Sequence, residues 1–201
     1  MILLPGAKLD DSLKGMYGTY TDKSGTYAST ISLLKQDRIV PLKGTYVPIV
    51  GDVVIGVVTD EKIFGYEVNL NSPYTGIVSN KVCREQLYLG DVVSFKIISV
   101  DEVKAASLAE PRKLYGGELI EVESVKIPRI IGKNASMLNT IREKTKSDIF
   151  VGKNGRVYLK NGNTTLAINT INFICKESHT SGLTDRVIAL LNSEKPEEKI
   201  N

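Results

Sequence analysis

The amino-acid sequence predicts a multidomain protein, with a small N-terminal β domain, a central β-barrel and a C-terminal α+β module. Three observations along the 201-residue chain support this division. Short β-type runs separated by turn residues fill residues 1–48, and a second group of β-rich runs fills residues 49–111. A strand, two helices around a tight turn, two strands and a further helix fit residues 112–192. The polar residues 193–201 are predicted to form a flexible tail.

The N-terminal domain contains three β-type runs, Tyr17–Tyr20, Thr26–Leu34 and Asp37–Pro41. The four residues from Asp22 to Gly25 are turn formers, so they predict a hairpin between the first two runs. A domain of this size has little apolar material for an independent core. We therefore expect it to pack on the rest of the chain or on another subunit.

The central segment begins with Val53–Val58, a nearly continuous run of apolar and β-branched residues. Residues 65–71 alternate apolar and polar side chains, and residues 90–101 form another long β-type run. Several short strands with Gly-Asp and Ser-Pro turns at this spacing are typical of a closed or nearly closed β-barrel. We expect Pro111 to end the last barrel strand because proline cannot donate to a strand ladder.

Aromatic and basic residues near the first hairpin of the barrel indicate a surface for single-stranded nucleic acid. Aromatic rings can stack on bases, and lysine or arginine can contact phosphates. The candidate residues are Lys62, Phe64, Tyr66, Tyr74, Lys81 and Arg84. Phe64 and Tyr66 share the alternation phase of the apolar positions, which favours the alternative that both rings point into the barrel. The net charge of −4 over residues 49–111 argues against strong electrostatic binding by this module alone.

The segment 126–141 carries the most specific pattern. It predicts a short helix that ends at Ile131, a tight turn and a second helix that begins near Ser136. Backbone N–H groups at the start of a helix and a lysine at the tip of the turn suit a sugar-phosphate backbone. A helix–Gly-x-x-Gly–helix turn is the part of KH domains that contacts RNA. The candidate residues here are Arg129, Gly132, Lys133, Asn134 and Ala135.

Ala135 departs from the KH pattern, which has glycine at this position. If the position requires φ > 0, alanine costs about 1 kcal/mol, and its methyl group holds a phosphate away. Asn134 tolerates left-handed geometry and could absorb part of the strain.

Positive charge is concentrated in the C-terminal module. The whole chain has a net charge of +3, whereas residues 112–160 contain eleven Lys and Arg against five Asp and Glu. Contacts with nucleic acid are therefore expected to be local and oriented.

The sequence contains no recognisable arrangement for catalysis, for a metal or for a cofactor. His179 is the single histidine and has no motif around it, and the carboxylates are scattered along the chain. Cys83 and Cys175 lie among apolar neighbours, which is typical of buried thiols in a cytosolic protein. No apolar run approaches the roughly 20 residues that a membrane span needs. We expect a cytoplasmic, non-catalytic protein with no membrane partner.

The order of modules and several phrases resemble the KH-bearing, RNA-binding cap subunits of the archaeal exosome. The phrases that carry the resemblance are Pro5-Gly6, Tyr17 to Tyr20, Val40 to Asp60, Asn71 to Thr75, Gly116-Gly117 and Ile127 to Met137. The resemblance implies that residues 49–111 form an S1-motif barrel of the OB type and that residues 112–192 form a KH domain. It also implies that residues 1–48 dock on a partner ring.

In that family, three cap subunits sit on a hexameric ring of RNase PH-like subunits. The caps capture single-stranded RNA and lead its 3′ end into the central channel, and the ring performs phosphorolytic 3′–5′ degradation or processing. A second type of archaeal cap subunit carries a zinc ribbon and can share the same ring. The two scattered cysteines of this chain agree with the type that lacks the ribbon.

Two alternatives fit the same modules. A transcription-elongation factor of the S1-plus-KH type binds RNA outside an exosome, although such factors usually carry tandem KH modules and this chain has room for one. A purely structural scaffold would hold the ring together without touching RNA, which Ala135 and the acidic barrel would favour.

Overall fold

The computed structural model describes residues 1–16, 18–35, 38–83, 85–178, 180 and 182–193. Tyr17 and Asp37, where two predicted strands begin, lie outside the described residues, as do Arg84, His179 and the tail from residue 194. The chain forms two compact units, one from Met1 to Thr45 and the other from Tyr46 onward. This boundary falls three residues before the end of the predicted N-terminal domain.

The N-terminal unit contains two three-stranded antiparallel sheets. Their strands are β1 (Ile2–Leu3), β2 (Lys8–Leu9), β3 (Thr19–Asp22), β4 (Gly25–Ala28), β5 (Ser32–Lys35) and β6 (Arg38–Pro41). One sheet has the order β1-β5-β6 and the other the order β2-β4-β3. Leu3, Leu9, Leu13, Ala28 and Ile39 form a small apolar core within this unit.

The predicted hairpin at Asp22 to Gly25 is confirmed. The Asp22 carboxylate accepts hydrogen bonds from the backbone N–H groups of Ser24, at 2.7 Å, and Gly25, at 3.2 Å. The prediction of one continuous run over Thr26–Leu34 is wrong, because the run is split between β4 and β5 in different sheets. In the connection between them, the Ser29 N–H donates to O of Gly18, which precedes β3, and Ile31 O accepts from the N–H of Leu42, which follows β6. The connection is thus bonded first beside one sheet and then beside the other.

The five following strands close into a barrel, as predicted. They are β7 (Val53–Lys62), β8 (Gly65–Asn69), β9 (Thr75–Ser79), β10 (Val92–Val100) and β11 (Ala106–Lys113). The order is β10-β11-β9-β8-β7, with β9 and β11 parallel and the other pairs antiparallel. Buried Val54, Val68, Phe95, Ile97 and Leu108 contribute to the apolar interior.

The expectation that Pro111 ends the last strand is wrong. Strand β11 continues through Pro111 to Lys113, and its pairing with β10 shifts register between Ala109 and Arg112. Within this irregularity Glu110 has φ 54°, in the left-handed region. A bulge is a position where a strand can accommodate a residue that lacks an N–H donor, so the proline is tolerated there.

The C-terminal module has a three-stranded antiparallel sheet and four helices. Its elements are β12 (Glu118–Glu121), α1 (Ile127–Ile131), α2 (Ser136–Thr145), β13 (Asp148–Val151), β14 (Arg156–Lys160), α3 (Thr164–Glu177) and α4 (Leu183–Ser193). The sheet order is β12-β14-β13. Apolar side chains of the sheet and all four helices share one core, which includes Ile130, Ile141, Leu159, Ile171 and Val187. The helix predicted over 185–192 begins two residues earlier, at Leu183.

The turn between β13 and β14, residues 152–155, joins this module to the barrel. Asn154 is 1% exposed, and its side-chain amide donates to Ile55 O at 2.7 Å and to Leu70 O at 2.8 Å. Its side-chain oxygen accepts from the Ile55 N–H at 3.1 Å. A Cβ atom on Gly152 would lie 2.8 Å from Ile55 N, so glycine is needed for this approach.

Arg156 makes a second set of contacts between the two modules. Its guanidinium donates to the backbone oxygen of Asn69 at 2.6 Å and to the side-chain oxygen of the same residue at 2.8 Å. It also forms an ion pair with Glu121 at 2.9 Å. The barrel and the C-terminal module are therefore held together by hydrogen bonds to barrel backbone atoms.

Candidate nucleic-acid interface

Residues Gly132–Ala135 form the tight turn that the sequence pattern predicts. Ala135 lies in the left-handed region, which strains a residue that has a side chain. Gly132 has φ 73°, and a Cβ at this position would lie 2.8 Å from the Met137 backbone nitrogen. Asn134 and Ala135 both lie in the left-handed region, with φ 51° and 61°. Ala135 precedes the first residue of α2, so alanine occupies a position that favours glycine.

The side chains around this turn face solvent. Arg129, Lys133 and Asn134 are exposed, and Arg129 and Lys133 lie one helical turn apart in sequence, at the end of α1 and in the turn. The N-terminal end of the ten-residue α2 lies directly after the turn. The Ser136 N–H donates to Lys133 O, and the N–H groups of the following residues in the first turn have no acceptor within α2. Both the cationic side chains and the N-terminal end of α2 can interact with an anionic sugar-phosphate backbone.

Only part of the cationic cluster in residues 112–160 is available for a ligand. Lys126 donates to Ser178, Arg142 to the backbone oxygen of Ile149, and Lys144 to Asn192. Lys113 and Arg156 are held in ion pairs. Among the basic residues from 112 to 160, all of which the structure describes, six side chains have no hydrogen-bond or ion-pair partner: Arg112, Arg129, Lys133, Lys146, Lys153 and Lys160.

Three of the barrel candidates come together at one end of the barrel. Phe64 lies at the tip of the β7–β8 hairpin and is 83% exposed. The backbone N–H of Asn80 donates to Phe64 O at 3.1 Å, which places Lys81, the next residue, beside this tip. Lys62 lies at the end of β7 next to the same hairpin. We call this group the barrel tip.

Lys62 already has partners in the free chain. Its ammonium lies 2.5 Å from the Asp60 carboxylate and 3.4 Å from Glu67. The hydrogen bond and charge of Asp60, followed by those of Glu67, raise the pKa of Lys62 above its ordinary value. A phosphate would have to compete with these two carboxylates, whereas Lys81 has no such pair among the described residues.

The other barrel candidates are placed elsewhere. Tyr66 is 6% exposed and belongs to the barrel core, where its hydroxyl accepts a hydrogen bond from Leu87 N–H at 3.4 Å. Its ring is therefore not presented to a base. Tyr74 is half-buried just before β9, at the opposite end of that strand from Lys81.

Sequence reasoning missed the contribution of Asn154. An Asn-Gly pair between two strands is typical of a tight hairpin turn in which both residues have φ > 0. Here only Gly155 has a positive φ, of 83°, and the Asn154 side chain enters the junction with the barrel. The phrase Gly-Lys-Asn occurs twice, at 132–134 and at 152–154. The first copy is exposed in the turn, and the second holds two modules together. The repetition is a signal that could have drawn attention to the second copy.

Residues 117–169 match the family model of the KH domain. The exosome complex component Rrp4 of Ignisphaera aggregans is 38% identical to this chain, over 88% of this chain and 81% of that protein. The chain belongs to the family of Rrp4 exosome complex components. The Rrp4 proteins of Methanosarcina mazei and Pyrococcus furiosus are 37% and 34% identical, each over 98% of this chain and over 84% and 85% of their own length.

A solved structure is also similar to most of this chain. A crystal structure of a provisionally assigned exosome complex RNA-binding protein has a TM-score of 0.68 and 33% identity. The match covers 75% of this chain and 97% of that one. The resemblance drawn from the sequence phrases is thus confirmed.

Two further properties of the described residues bear on function. No helix among them is long and apolar enough to cross a membrane. Within the same part of the chain, no group of three or more His, Cys, Asp or Glu side chains is arranged to hold a metal ion.

Proposed function

We propose that the chain is a non-catalytic, RNA-binding subunit of an exosome complex. The observation that carries the proposal is the match along nearly the whole chain to Rrp4 exosome complex components, at up to 38% identity. The exposed Gly132–Ala135 turn and the barrel tip give the chain two surfaces on which a phosphate backbone can lie. The chemistry is assigned to other subunits of the complex.

The turn is proposed to hold phosphates and the barrel tip to hold an adjacent stretch of the same strand. Arg129 and Lys133 supply positive charge, and the first N–H groups of α2 supply hydrogen-bond donors. At the barrel tip the exposed ring of Phe64 offers a face for a base, and Lys81 offers a cation. Arg84 is retained as a candidate on sequence grounds. Tyr66 is left out because its ring is buried.

The more detailed proposal places three copies on a hexameric ring of RNase PH-like subunits in the cytoplasm. The copies capture single-stranded RNA and lead its 3′ end to the channel, alone or mixed with the zinc-ribbon cap subunit. The N-terminal unit is proposed to dock on the ring, because Met1, Ile2 and Leu4 expose apolar side chains around β1. Exposed apolar side chains that are grouped in this way are typical of protein contact surfaces.

The test uses the full chain reconstituted with its ring, and a labelled single-stranded RNA in buffer without phosphate, so that phosphorolysis cannot remove the probe. Substituting Lys62, Lys81 and Arg84 together by Ala is expected to weaken RNA capture about tenfold and to flatten its salt dependence. Lys133→Ala is expected to have a smaller effect, of about two- to threefold. Lys176→Ala, which removes an exposed charge on α3, is the matched control and is expected to bind like the wild type.

Unchanged capture by the triple variant would remove the barrel tip from the proposal. If crosslinking with and without the ring detects no RNA on this chain, the scaffold alternative holds instead. Co-purification with RNA polymerase rather than with ring subunits would favour the transcription-factor alternative. The relatives that match this chain over most of its length are named exosome complex components, so they do not support that alternative.

A further inference from the structure

A surface on another part of the barrel carries two exposed aromatic rings that neither site above uses. Tyr88 lies in the connection between β9 and β10 and is 60% exposed, and Tyr115 follows β11 and is 62% exposed. The Lys113 ammonium lies 5.0 Å from the centroid of the Tyr88 ring and 5.9 Å from that of Tyr115. A cation at these distances attracts the face of each ring, so Lys113 holds both rings on one surface.

Hydrogen bonds to Asp91 hold the backbone of Tyr88, and the Lys113 ammonium lies over its ring. Lys113 forms an ion pair with Asp91 at 2.8 Å, and its side chain is only 9% exposed. The Asp91 carboxylate accepts from the Tyr88 N–H at 2.9 Å, and the Asp91 N–H donates to Tyr88 O at 3.0 Å. A preorganised ring loses less conformational entropy when a base stacks on it.

Two shallow cavities run along the surface beside these rings. One, of about 250 Å³, is lined by Leu87, Lys113 and Tyr115, and the other, of about 420 Å³, is lined by Val82 and Ala109. Both are also lined by Pro111 and Arg112, so they are neighbours along the end of β11. We call Tyr88, Tyr115 and the two cavities the tyrosine groove. Glu110, with its left-handed φ of 54°, lines the same groove, and such strain concentrates at functional sites.

The charges of the tyrosine groove favour a ligand that combines bases with phosphate. Asp91 is neutralised by Lys113, and Glu110 lies 3.7 Å from Lys96. Arg112 is exposed and has no hydrogen-bond or ion-pair partner in the described part of the chain. Glu85 also lines the groove, so the net charge is small and the affinity has to come mainly from stacking.

We propose that the tyrosine groove is an additional subsite for single-stranded RNA, in which bases stack on Tyr88 and Tyr115 and the Arg112 guanidinium contacts one phosphate. The proposal rests on the proposed RNA-binding function and extends it to residues that the sequence pattern did not indicate. Every base has a π-face, so the subsite accepts RNA without strong base preference. A protein partner on the same groove is the rival occupant that the experiment has to separate.

The experiment measures the Kd of the full chain for a fluorescent 12-nucleotide oligo(A) RNA at several salt concentrations. Replacing both tyrosines by Ala is expected to raise Kd about tenfold, equivalent to about 1.4 kcal/mol, while the slope of log K against log salt stays the same. Replacing both by Phe keeps the rings and is expected to leave Kd within twofold. Arg112→Ala is expected to reduce the slope by about 0.7, the value for one phosphate contact on a single strand. Val103→Ala, at another exposed apolar side chain of the barrel, is the matched control.

Crosslinking gives a second readout that needs no variant. Wild-type chain irradiated with RNA containing 4-thiouridine is expected to give adducts on the peptides that contain Tyr88 or Tyr115. If the double Ala variant binds RNA with the Kd of the wild type while Lys133→Ala binds more weakly, the tyrosine groove is not an RNA subsite and the proposed function still stands. Loss of ring assembly with unchanged RNA affinity would assign the groove to a protein partner and overturn the proposal. Failure of the wild-type chain to bind RNA, alone and on the ring, would overturn both.

Discussion

The substitution Asn154→Asp tests how the barrel is joined to the KH domain. It keeps the shape of the side chain but removes both donated hydrogen bonds, so the backbone oxygens of Ile55 and Leu70 lose their partner in a buried site. Each buried acceptor left unsatisfied costs about 1–3 kcal/mol. An acidic group facing two carbonyl oxygens adds a desolvation cost. We expect the free energy of unfolding to fall by about 3–5 kcal/mol.

The assay is urea unfolding of the full chain followed by far-UV circular dichroism. Asn134→Asp is the matched control, because Asn134 lies in the first Gly-Lys-Asn phrase and is exposed in the Gly132–Ala135 turn. Its unfolding midpoint is expected to stay close to that of the wild type. Equal midpoints for the two variants would refute the conclusion that the second phrase joins the modules.

Two further predictions concern the strained turn and the ion pair of the tyrosine groove. Ala135→Gly removes the strain of a side chain at φ 61°. It is expected to stabilise the chain by about 0.5–1 kcal/mol, which already includes the opposing effect of glycine's larger backbone entropy in the unfolded chain. A lower melting temperature in calorimetry would contradict this. Burial tends to raise the pKa of Asp91, but hydrogen bonds from Lys113 and the Tyr88 N–H hold it below its ordinary value of 3.8. A lowered pKa stabilises the fold above the unfolded-state pKa, and this contribution disappears as the pH falls through the folded-state value. Asp91→Asn should therefore unfold more easily than the wild type at pH 5–8, and the two urea midpoints should converge below pH 4; a constant difference down to pH 2 would contradict it.

Local patterns predicted the closed barrel and the tight turn between two helices. The alternation around Val68 and the β-branched run from Val53 identified the barrel, because each barrel strand presents alternate side chains to one interior. The Gly132–Ala135 turn was located correctly, since a tight turn between two helices depends on the residues within it.

Features that depend on distant parts of the chain were not predicted. Alternation assigns Phe64 to the interior together with Tyr66, but Phe64 lies at a hairpin tip, where the strand period ends and the ring is exposed. The bulge at Glu110 that accommodates Pro111 depends on pairing with β10, and the break between β4 and β5 depends on two separate sheets. The role of Asn154 depends on backbone atoms of residues 99 and 84 positions away, and local sequence patterns do not identify these partners.

The contacts of Asn154 and Arg156 have a consequence for how this protein can diverge. Apart from one bond to the Asn69 side chain and one from the Asn71 side chain, their bonds to the barrel go to main-chain atoms of Ile55, Leu70 and Asn69. Main-chain atoms are the same whatever residue occupies a position, so barrel side chains can be replaced over generations while the joint survives. Relatives that share about a third of their residues can thus keep the same relative placement of two modules, provided that the asparagine and the arginine stay.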